Sequence, residues 1–205
     1  MANTARTVAV ATGLVAAGLA GTAPAASGAD AERPAIRILA VNKVSVPPAD
    51  VLVRAQAETT RIYAAAGVRL VWNDPLSSIS RLTMMVVPAS NLELTKDAAD
   101  ALGAAPAADE GTGRLAYALY ARIEATAERH GTDVAKVLGI VMAHELGHLL
   151  LAHGTHSSAG IMSGRWGQFE MDLVAAGLLS FTKEQAESIR RAVVGMNARQ
   201  RKPSS

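Results

Sequence analysis

Short apolar runs and one amphipathic stretch alternate in the first half of the chain. Three apolar runs predict β-strands, at residues 36–41, 68–72 and 82–87. Residues 50–65 follow a Pro-Pro break and carry apolar side chains at helical spacing, and Gly67 can end that helix. Because a helix separates the first two strands, we expect these strands to lie parallel in one sheet.

The stretch from residue 90 to residue 113 follows neither period. Its glycines, its proline and its paired acidic residues predict mostly loop, with a short helical turn near 98–102. Residues 115–120 are largely apolar again, and we expect them to form a strand at an edge of the sheet. An exposed edge of this kind can accept an extended peptide as an additional strand.

Helical patterns fill most of the remaining sequence. The predicted helices cover residues 122–130, 134 to about 153, and 182 to about 197. Thr132 or Asp133 can cap the second helix, and Gly154 can end it with a left-handed residue. Thr182 and Gln185 have the spacing of a capping box at the start of the third helix.

The order of these elements predicts one domain of the α/β (α+β layered) class. We expect a small mixed β-sheet with helices packed on one side, among them one long helix and a C-terminal helix. The length of 205 residues fits a single domain, and hydrophobic residues make up 50% of the chain, which is enough to build a core.

The first 31 residues have the three-part pattern of a secretory signal peptide. Arg6 provides a positive start, residues 8–20 are nearly all small or apolar, and small residues follow at Ala23-Pro24-Ala25 and at Ala29-Asp30-Ala31. We therefore predict cleavage near residues 25–31 and a mature domain over residues 32–205. The mature protein is expected to be secreted or held in the periplasm or cell envelope, without stable insertion into the membrane.

Charge and cysteine content exclude several classes of function. The net charge is only +2, and the dense basic stretch lies at the C-terminal end, so no nucleic-acid partner is expected. The chain has no cysteine, which excludes disulfides, thiolate metal ligands and a cysteine nucleophile. We expect a monomer whose partner is a peptide or protein substrate.

The segment at residues 144–148 has the sequence H-E-L-G-H and carries the chemistry. His144 and His148 are separated by about 40° of rotation and about 6 Å of rise on a helix, so both imidazoles can bind one zinc ion. Glu145 lies about 100° from His144 around the helix, where it can act as a general base without binding the metal. Burial of two imidazoles and a carboxylate in so apolar a segment costs free energy unless these groups are paired or metal-bound.

Catalytic zinc sites usually take three protein ligands, so a third ligand is required. If the helix continues, His153 lies about 140° from His148 and cannot share its ion. His156 follows Gly154, where the chain can reverse towards the metal, and we expect His156 to be the third ligand. His153 and Glu170 remain alternatives, whereas His130 is expected to serve as a cation at a helix end.

This arrangement resembles the metzincin zinc peptidases, and most of all their matrixin branch. The resemblance is carried by H-E-L-G-H at 144–148, by His156-Ser157-Ser158 and by Ile161-Met162. The chain is also similar to short exported bacterial proteins with H-E-x-G-H-L-L-L and H-S-x-x-G-I-M segments. Seven residues separate His148 from His156, where the metzincin pattern has five, and Leu151 occupies the position of its glycine.

The resemblance implies a zinc metallopeptidase domain with a small mixed sheet and a long active-site helix. It implies that His144, His148 and His156 bind Zn²⁺, that Glu145 is the general base, and that Met162 is the methionine of a Met-turn beneath the metal. No tyrosine follows Met162 closely, and Arg165 is a candidate for contacting the oxyanion.

Two other functions compete with an exported zinc-dependent endopeptidase. The chain can instead be a non-catalytic exported zinc-binding or interaction module, a pseudo-peptidase whose site is closed by a fourth protein ligand such as His153. It can also be a cell-envelope interaction protein in which the histidine motif is coincidental.

Overall fold

The computed structural model describes residues 32–42, 46–75, 79, 81–88, 100–106, 114–151 and 156–201. The predicted signal peptide, most of the predicted loop between residues 90 and 113, His153 and Gly154 lie outside the described residues. Within the described ranges the chain forms the strands β1 (Ala35–Asn42), β2 (Arg69–Trp72), β3 (Arg81–Val87), β4 (Gly103–Ala104) and β5 (Leu115–Leu119). The helices are α1 (Ala49–Ala65), α2 (Tyr120–His130), α3 (Val134–Leu150), α4 (Gln168–Ala175) and α5 (Lys183–Arg201).

The strands form one mixed sheet in the order β2-β1-β3-β5-β4. β1 pairs in parallel with both β2 and β3, and β3 pairs in parallel with β5, whereas β4 runs antiparallel to β5. The parallel pairing predicted for the first two strands is therefore confirmed, with α1 as the helix that connects them. The α/β layered class predicted from the sequence is also confirmed.

One position predicted for the sheet is wrong. The strand at residues 115–120 was expected at an edge, but β5 has β3 on one side and β4 on the other. The outer element is β4, in which Gly103 pairs with Ala118 and Ala104 with Tyr117. Two residues are too few to show a strand period, so the sequence could not distinguish β4 from the surrounding loop.

Alternation along the central strands separates a core face of the sheet from a partly exposed face. Ile36, Ile38 and Leu82 are fully buried, whereas Arg37 and Leu39, which alternate with Ile36 and Ile38 along β1, are partly exposed. The buried strand residues form one hydrophobic cluster with residues of α1 and α3. Helix α3 is buried almost all round, as a helix at the centre of a domain must be.

The helix ends follow the signals in the sequence in most cases. Gly67 and Gly131 both have positive φ, at 76° and 61°, just beyond α1 and α2. Asp133 caps α3 because its carboxylate accepts a 2.7 Å hydrogen bond from the amide of Ala135. The side chains of Thr182 and Gln185 each accept from the other residue's amide before α5, as in a capping box.

Two helix predictions need correction. Helix α3 ends at Leu150 rather than near residue 153, because Leu151 is extended, with φ −91° and ψ 130°. Helix α4 was not predicted, although Glu170 accepts a hydrogen bond from the amide of Gly167 at its start and Gly177 has φ 70° shortly after its end. In the part of the chain that the structure describes, no helix is both long and apolar enough to cross a membrane.

Helices α1 and α3 approach each other closely at Gly139. A Cβ atom at this position would lie 2.7 Å from Cβ of Glu58 and 2.9 Å from the carbonyl oxygen of Ala55. We expect Gly139→Ala to lower the free energy of unfolding by about 1–3 kcal/mol, because overpacking outweighs the gain of about 1 kcal/mol in helix propensity. Urea unfolding measures this change.

Gly195 provides a matched control in α5. A Cβ atom there would meet only the Arg199 guanidinium, at 3.7 Å. Gly195→Ala should therefore stabilise the protein slightly, through helix propensity alone. A stabilising Gly139→Ala would contradict the close packing of α1 on α3.

Candidate metal centre

Helix α3 carries the residues of the H-E-x-x-H segment into the core. The hydroxyl group of Thr59 donates a 3.0 Å hydrogen bond to the carbonyl oxygen of Gly139, and the Tyr63 hydroxyl donates one of 3.2 Å to that of Ala143. Both donors belong to α1, so α1 fixes α3 immediately before His144. His144 and Glu145 are 7% and 6% exposed, respectively.

The two helical histidines face the same point. The Nε2 atoms of His144 and His148 lie 2.9 Å apart, with the rings nearly perpendicular at 83°. Their four-residue spacing produces this convergence, because residues four apart lie on one face of a helix. His148 is partly buried, so the pair opens towards solvent on that side.

His156 joins this pair from the loop that precedes α4. Its ring centroid lies 5.3 Å from that of His144 and 5.0 Å from that of His148. One ring nitrogen from each of the three histidines lies within 4.8 Å of the others. The structure thus brings together the three residues that the sequence predicted as ligands, and His156 is exposed at the mouth of the cluster.

A tight turn places His156 against the helix. The amide of Ser157 donates a 2.8 Å hydrogen bond to the carbonyl oxygen of Met162, and Gly160 takes φ 70° inside this turn. Gln185 fastens the turn to the start of α5 by donating to the Ser157 hydroxyl at 2.9 Å. The backbone of Gly164 passes so close to His156 that a Cβ atom there would lie 3.0 Å from the ring.

The hydrogen bonding of His144 leaves its Nε2 atom available to a metal. Its Nδ1 atom lies 2.7 Å from the carbonyl oxygen of Ile161, which can only accept. Nδ1 must therefore carry the proton, and Nε2 presents a lone pair towards the Nε2 atom of His148, 2.9 Å away. Two nitrogen ligands of one tetrahedral zinc ion lie about 3.4 Å apart, so the cluster fits such an ion with small side-chain adjustments.

The other candidate ligands lie elsewhere or outside the described residues. The Nδ1 atom of His130 is 2.8 Å from Oε1 of Gln168, and His130 is not part of the cluster. The Glu170 carboxylate accepts the Gly167 amide at the start of α4. His153 lies outside the described residues, so its prediction as an alternative ligand stays a prediction.

Glu145 lies under the edge strand of the sheet. A Cβ atom on Gly103 in β4 would lie 2.6 Å from both Cγ and Oε1 of Glu145. Burial raises the pKa of Glu145 to about 8, because the ionised carboxylate loses its hydration there. Burial, together with the two neighbouring histidines, lowers the pKa of His144 to about 4.

Met162 packs on α3 beside the cluster, and Trp166 contacts the cluster directly. Met162 is 1% exposed, and its sulfur atom would lie 2.6 Å from a Cβ atom placed on Gly147. Trp166 contacts the ring of His144 edge-on, with centroids 5.2 Å apart at 85°. The sequence interpretation missed this contact because nothing in the pattern distinguishes Trp166 from a surface aromatic residue.

Arg165 is exposed, and its backbone amide and carbonyl groups both hydrogen-bond to the Ser163 hydroxyl group. Among the described residues no acceptor holds its guanidinium group near the histidines. Its role as an oxyanion contact stays a prediction.

The two shifted pKa values predict an unusual pH dependence for the metal-free protein. His144 becomes protonated below pH 6.5 in the unfolded chain but only below about pH 4 in the folded protein. Stability therefore falls as the pH falls from 6.5 to 4. Glu145 ionises above pH 4.5 in the unfolded chain but only above about pH 8 in the folded protein. Stability therefore falls as the pH rises from 4.5 to 8.

The two effects offset each other between pH 4.5 and 6.5, and of these two groups Glu145 alone acts from pH 6.5 to 8. We expect the metal-free protein to lose about 2 kcal/mol of unfolding free energy over this upper range, at about 1.4 kcal/mol per pKa unit. Urea unfolding at both pH values measures the loss. Glu145→Gln should abolish it, and an equal loss in that variant would assign the effect to other groups.

Comparison with known proteins adds no family assignment. No protein-family model matches the chain, and no curated protein is significantly similar to it. The site is therefore described by its own geometry: a mixed α/β domain with three histidines that could hold a metal ion and a buried glutamate beside them.

Proposed function

We propose that the chain is an exported zinc-dependent metalloendopeptidase of metzincin type. The observation that carries this proposal is the convergence of His144, His148 and His156, with one ring nitrogen of each within 4.8 Å of the others. Glu145 directly follows the first histidine on the same helix, as the general base of such an enzyme does. The N-terminal pattern supports action outside the cytoplasm.

Zinc is the metal that suits this ligand set best. Neutral imidazoles are typical ligands of zinc, and three protein ligands that leave one position open are typical of its catalytic sites. Burial disfavours protonation of His144, so protons compete weakly with a metal for its Nε2 atom near neutral pH. Met162, packed beneath the helix at Gly147, is proposed as the Met-turn residue.

When bound, the zinc ion supplies a Lewis acid that activates water and polarises a substrate carbonyl group. Glu145 accepts the proton of the attacking water and delivers it to the leaving amine. The pKa of about 8 belongs to the metal-free protein, and a bound zinc ion would lower it, because a nearby cation favours the ionised carboxylate that accepts the proton. The Nδ1 hydrogen bond from His144 to Ile161 holds the first imidazole in one orientation.

The substrate is proposed to bind as an extended peptide near the sheet edge. The outer strand of the described sheet is β4, and it lies directly against Glu145. A peptide that pairs with this edge would pass close to the proposed base. Arg165, exposed just after the turn, is proposed to contact the developing oxyanion.

Removal and return of the metal tests the proposal. Purified mature protein should contain about one equivalent of zinc and should cleave casein or a peptide library, with release of new amino termini. Dialysis against a chelator should abolish cleavage, and one equivalent of zinc should restore it. Cleavage that persists in fully zinc-free protein would overturn the proposal.

A zinc-binding module without turnover is the second candidate. The burial of Glu145 favours it, because a carboxyl group that is 6% exposed can also serve as a packed, protonated side chain. In that case the protein would hold one equivalent of zinc and show no hydrolysis with any peptide of the library.

A further inference from the structure

Strand β4 and the Glu145 side chain are in unusually close contact. A Cβ atom on Gly103 would lie 2.6 Å from Cγ and from Oε1 of Glu145, which is far inside van der Waals distance. Every residue other than glycine would therefore force the carboxylate, the strand or both to move. The sequence alone does not reveal this contact, because 42 positions separate the two residues along the chain.

Two hydrogen bonds to the backbone directly before Gly103 hold β4 in this position. The amide of Leu119 donates a 2.8 Å hydrogen bond to the carbonyl oxygen of Leu102, directly before Gly103. The guanidinium group of Arg122 donates one of 2.8 Å to the carbonyl oxygen of Ala101. The strand thus cannot withdraw from Glu145 without breaking contacts to β5 and α2.

The opposite side of Glu145 is equally fixed, because helix α3 is packed in the core over most of its length. The carboxylate therefore lies between a rigid helix and an anchored strand. Its position matters if Glu145 is the base, because a misplacement of about 1 Å can reduce a rate by about 100-fold.

We propose that Gly103 is a positioning residue for Glu145: its missing side chain lets the backbone of β4 rest on the carboxylate and fix its orientation beside the histidine cluster. The inference rests on the proposed function. In this role Gly103 acts through Glu145, whereas the proposed pairing of a substrate peptide would use the backbone edge of β4.

Kinetics of Gly103→Ala form the first test. With zinc bound, this variant should lose at least ten-fold in kcat while the zinc dissociation constant and KM stay within about three-fold. The matched control is Gly195→Ala in α5, the same substitution at a glycine where a Cβ atom would meet only the Arg199 guanidinium, at 3.7 Å. The control should keep kcat within about three-fold.

A stability cycle on the metal-free protein forms the second test, and it does not depend on activity. If Gly103 is constrained by the Glu145 side chain, Gly103→Ala should lower the urea midpoint at least twice as much in the wild-type background as in a Glu145→Ala background. Folding of the double variant where the single variant fails to fold would support the inference equally.

Three results would overturn the inference. They are an unchanged kcat in Gly103→Ala, an equal midpoint loss in both backgrounds, and a failure to fold in both. The last two would assign the cost to the overlap with the Tyr117 carbonyl oxygen, which also lies 2.6 Å from the Cβ position. A wild-type protein that binds zinc but cleaves nothing would instead overturn the proposed function, and the positioning role with it.

Discussion

Glu145→Gln is expected to bind zinc as tightly as the wild type and to cleave peptides about 10²- to 10⁴-fold more slowly. Glutamine keeps nearly the shape of glutamate, so the contact with β4 and the burial of the side chain are retained. Only the capacity to accept and return a proton is lost. Metal content by mass spectrometry and initial rates on one fluorogenic peptide measure both quantities.

Glu170→Gln is the matched control, because it makes the same chemical change on a carboxylate outside the cluster. The amide oxygen of the new side chain can still accept the Gly167 amide at the start of α4. This variant should bind zinc and cleave peptide as the wild type does. Full activity in Glu145→Gln would show that another group is the base.

His156→Ala is expected to weaken zinc binding by more than 100-fold. Loss of a residue that only orients a ligand typically costs about 10- to 100-fold in metal affinity, and loss of a ligand costs more. Because His156 is exposed and belongs to a loop, its removal should leave the fold and the α3 pair intact. Competition with a chromogenic chelator measures the affinity, and circular dichroism measures the fold.

Two further histidine variants sharpen this experiment. His130→Ala removes an imidazole that contacts Gln168 and lies outside the cluster, so it should leave zinc affinity unchanged. His153→Ala tests the closed site of a non-catalytic module, in which His153 would be a fourth ligand. Wild-type affinity in His156→Ala combined with weak binding in His153→Ala would replace His156 by His153 as the third ligand.

Elements whose signals are local were predictable from the sequence. Helix α1 and its flanking strands follow from residue periods and from Gly67, and the start of α3 follows from Asp133. The end of α3 was not predictable in the same way, because the apolar run continues through Leu151 while the backbone has already become extended. Hydrophobicity reports burial there, and it does not report where the helical hydrogen bonds stop.

The missed elements differ in what could have revealed them. Helix α4 has a usable signal, with buried Met171 and Val174 three residues apart and Gly177 beyond its end. Strand β4 has none, since the backbone directly before it is held by Leu119 and Arg122, which are close to it only in the folded protein. Its position at the sheet edge is determined by tertiary contacts.

The site was predictable where helix geometry determines it. The spacing of His144 and His148 requires them to share a face, and the structure shows their Nε2 atoms 2.9 Å apart. His156 was predictable only as a possibility, because its approach depends on a turn that Gln185 fastens from α5. The contact of Trp166 with His144 and that of Gly103 with Glu145 depend wholly on packing.

The division of the three histidines between a buried helix and an exposed turn has a kinetic consequence. Helix α3 can release its two imidazoles only when the core opens, which is a rare event in a folded domain. In the turn, His156, Ser158 and Ala159 are exposed, whereas Ile161 and Met162 stay packed in the core. His156 can therefore detach by local opening of the exposed part of the turn alone. Metal exchange would therefore follow the opening rate of this turn, and an ion could enter or leave while the rest of the protein stays folded.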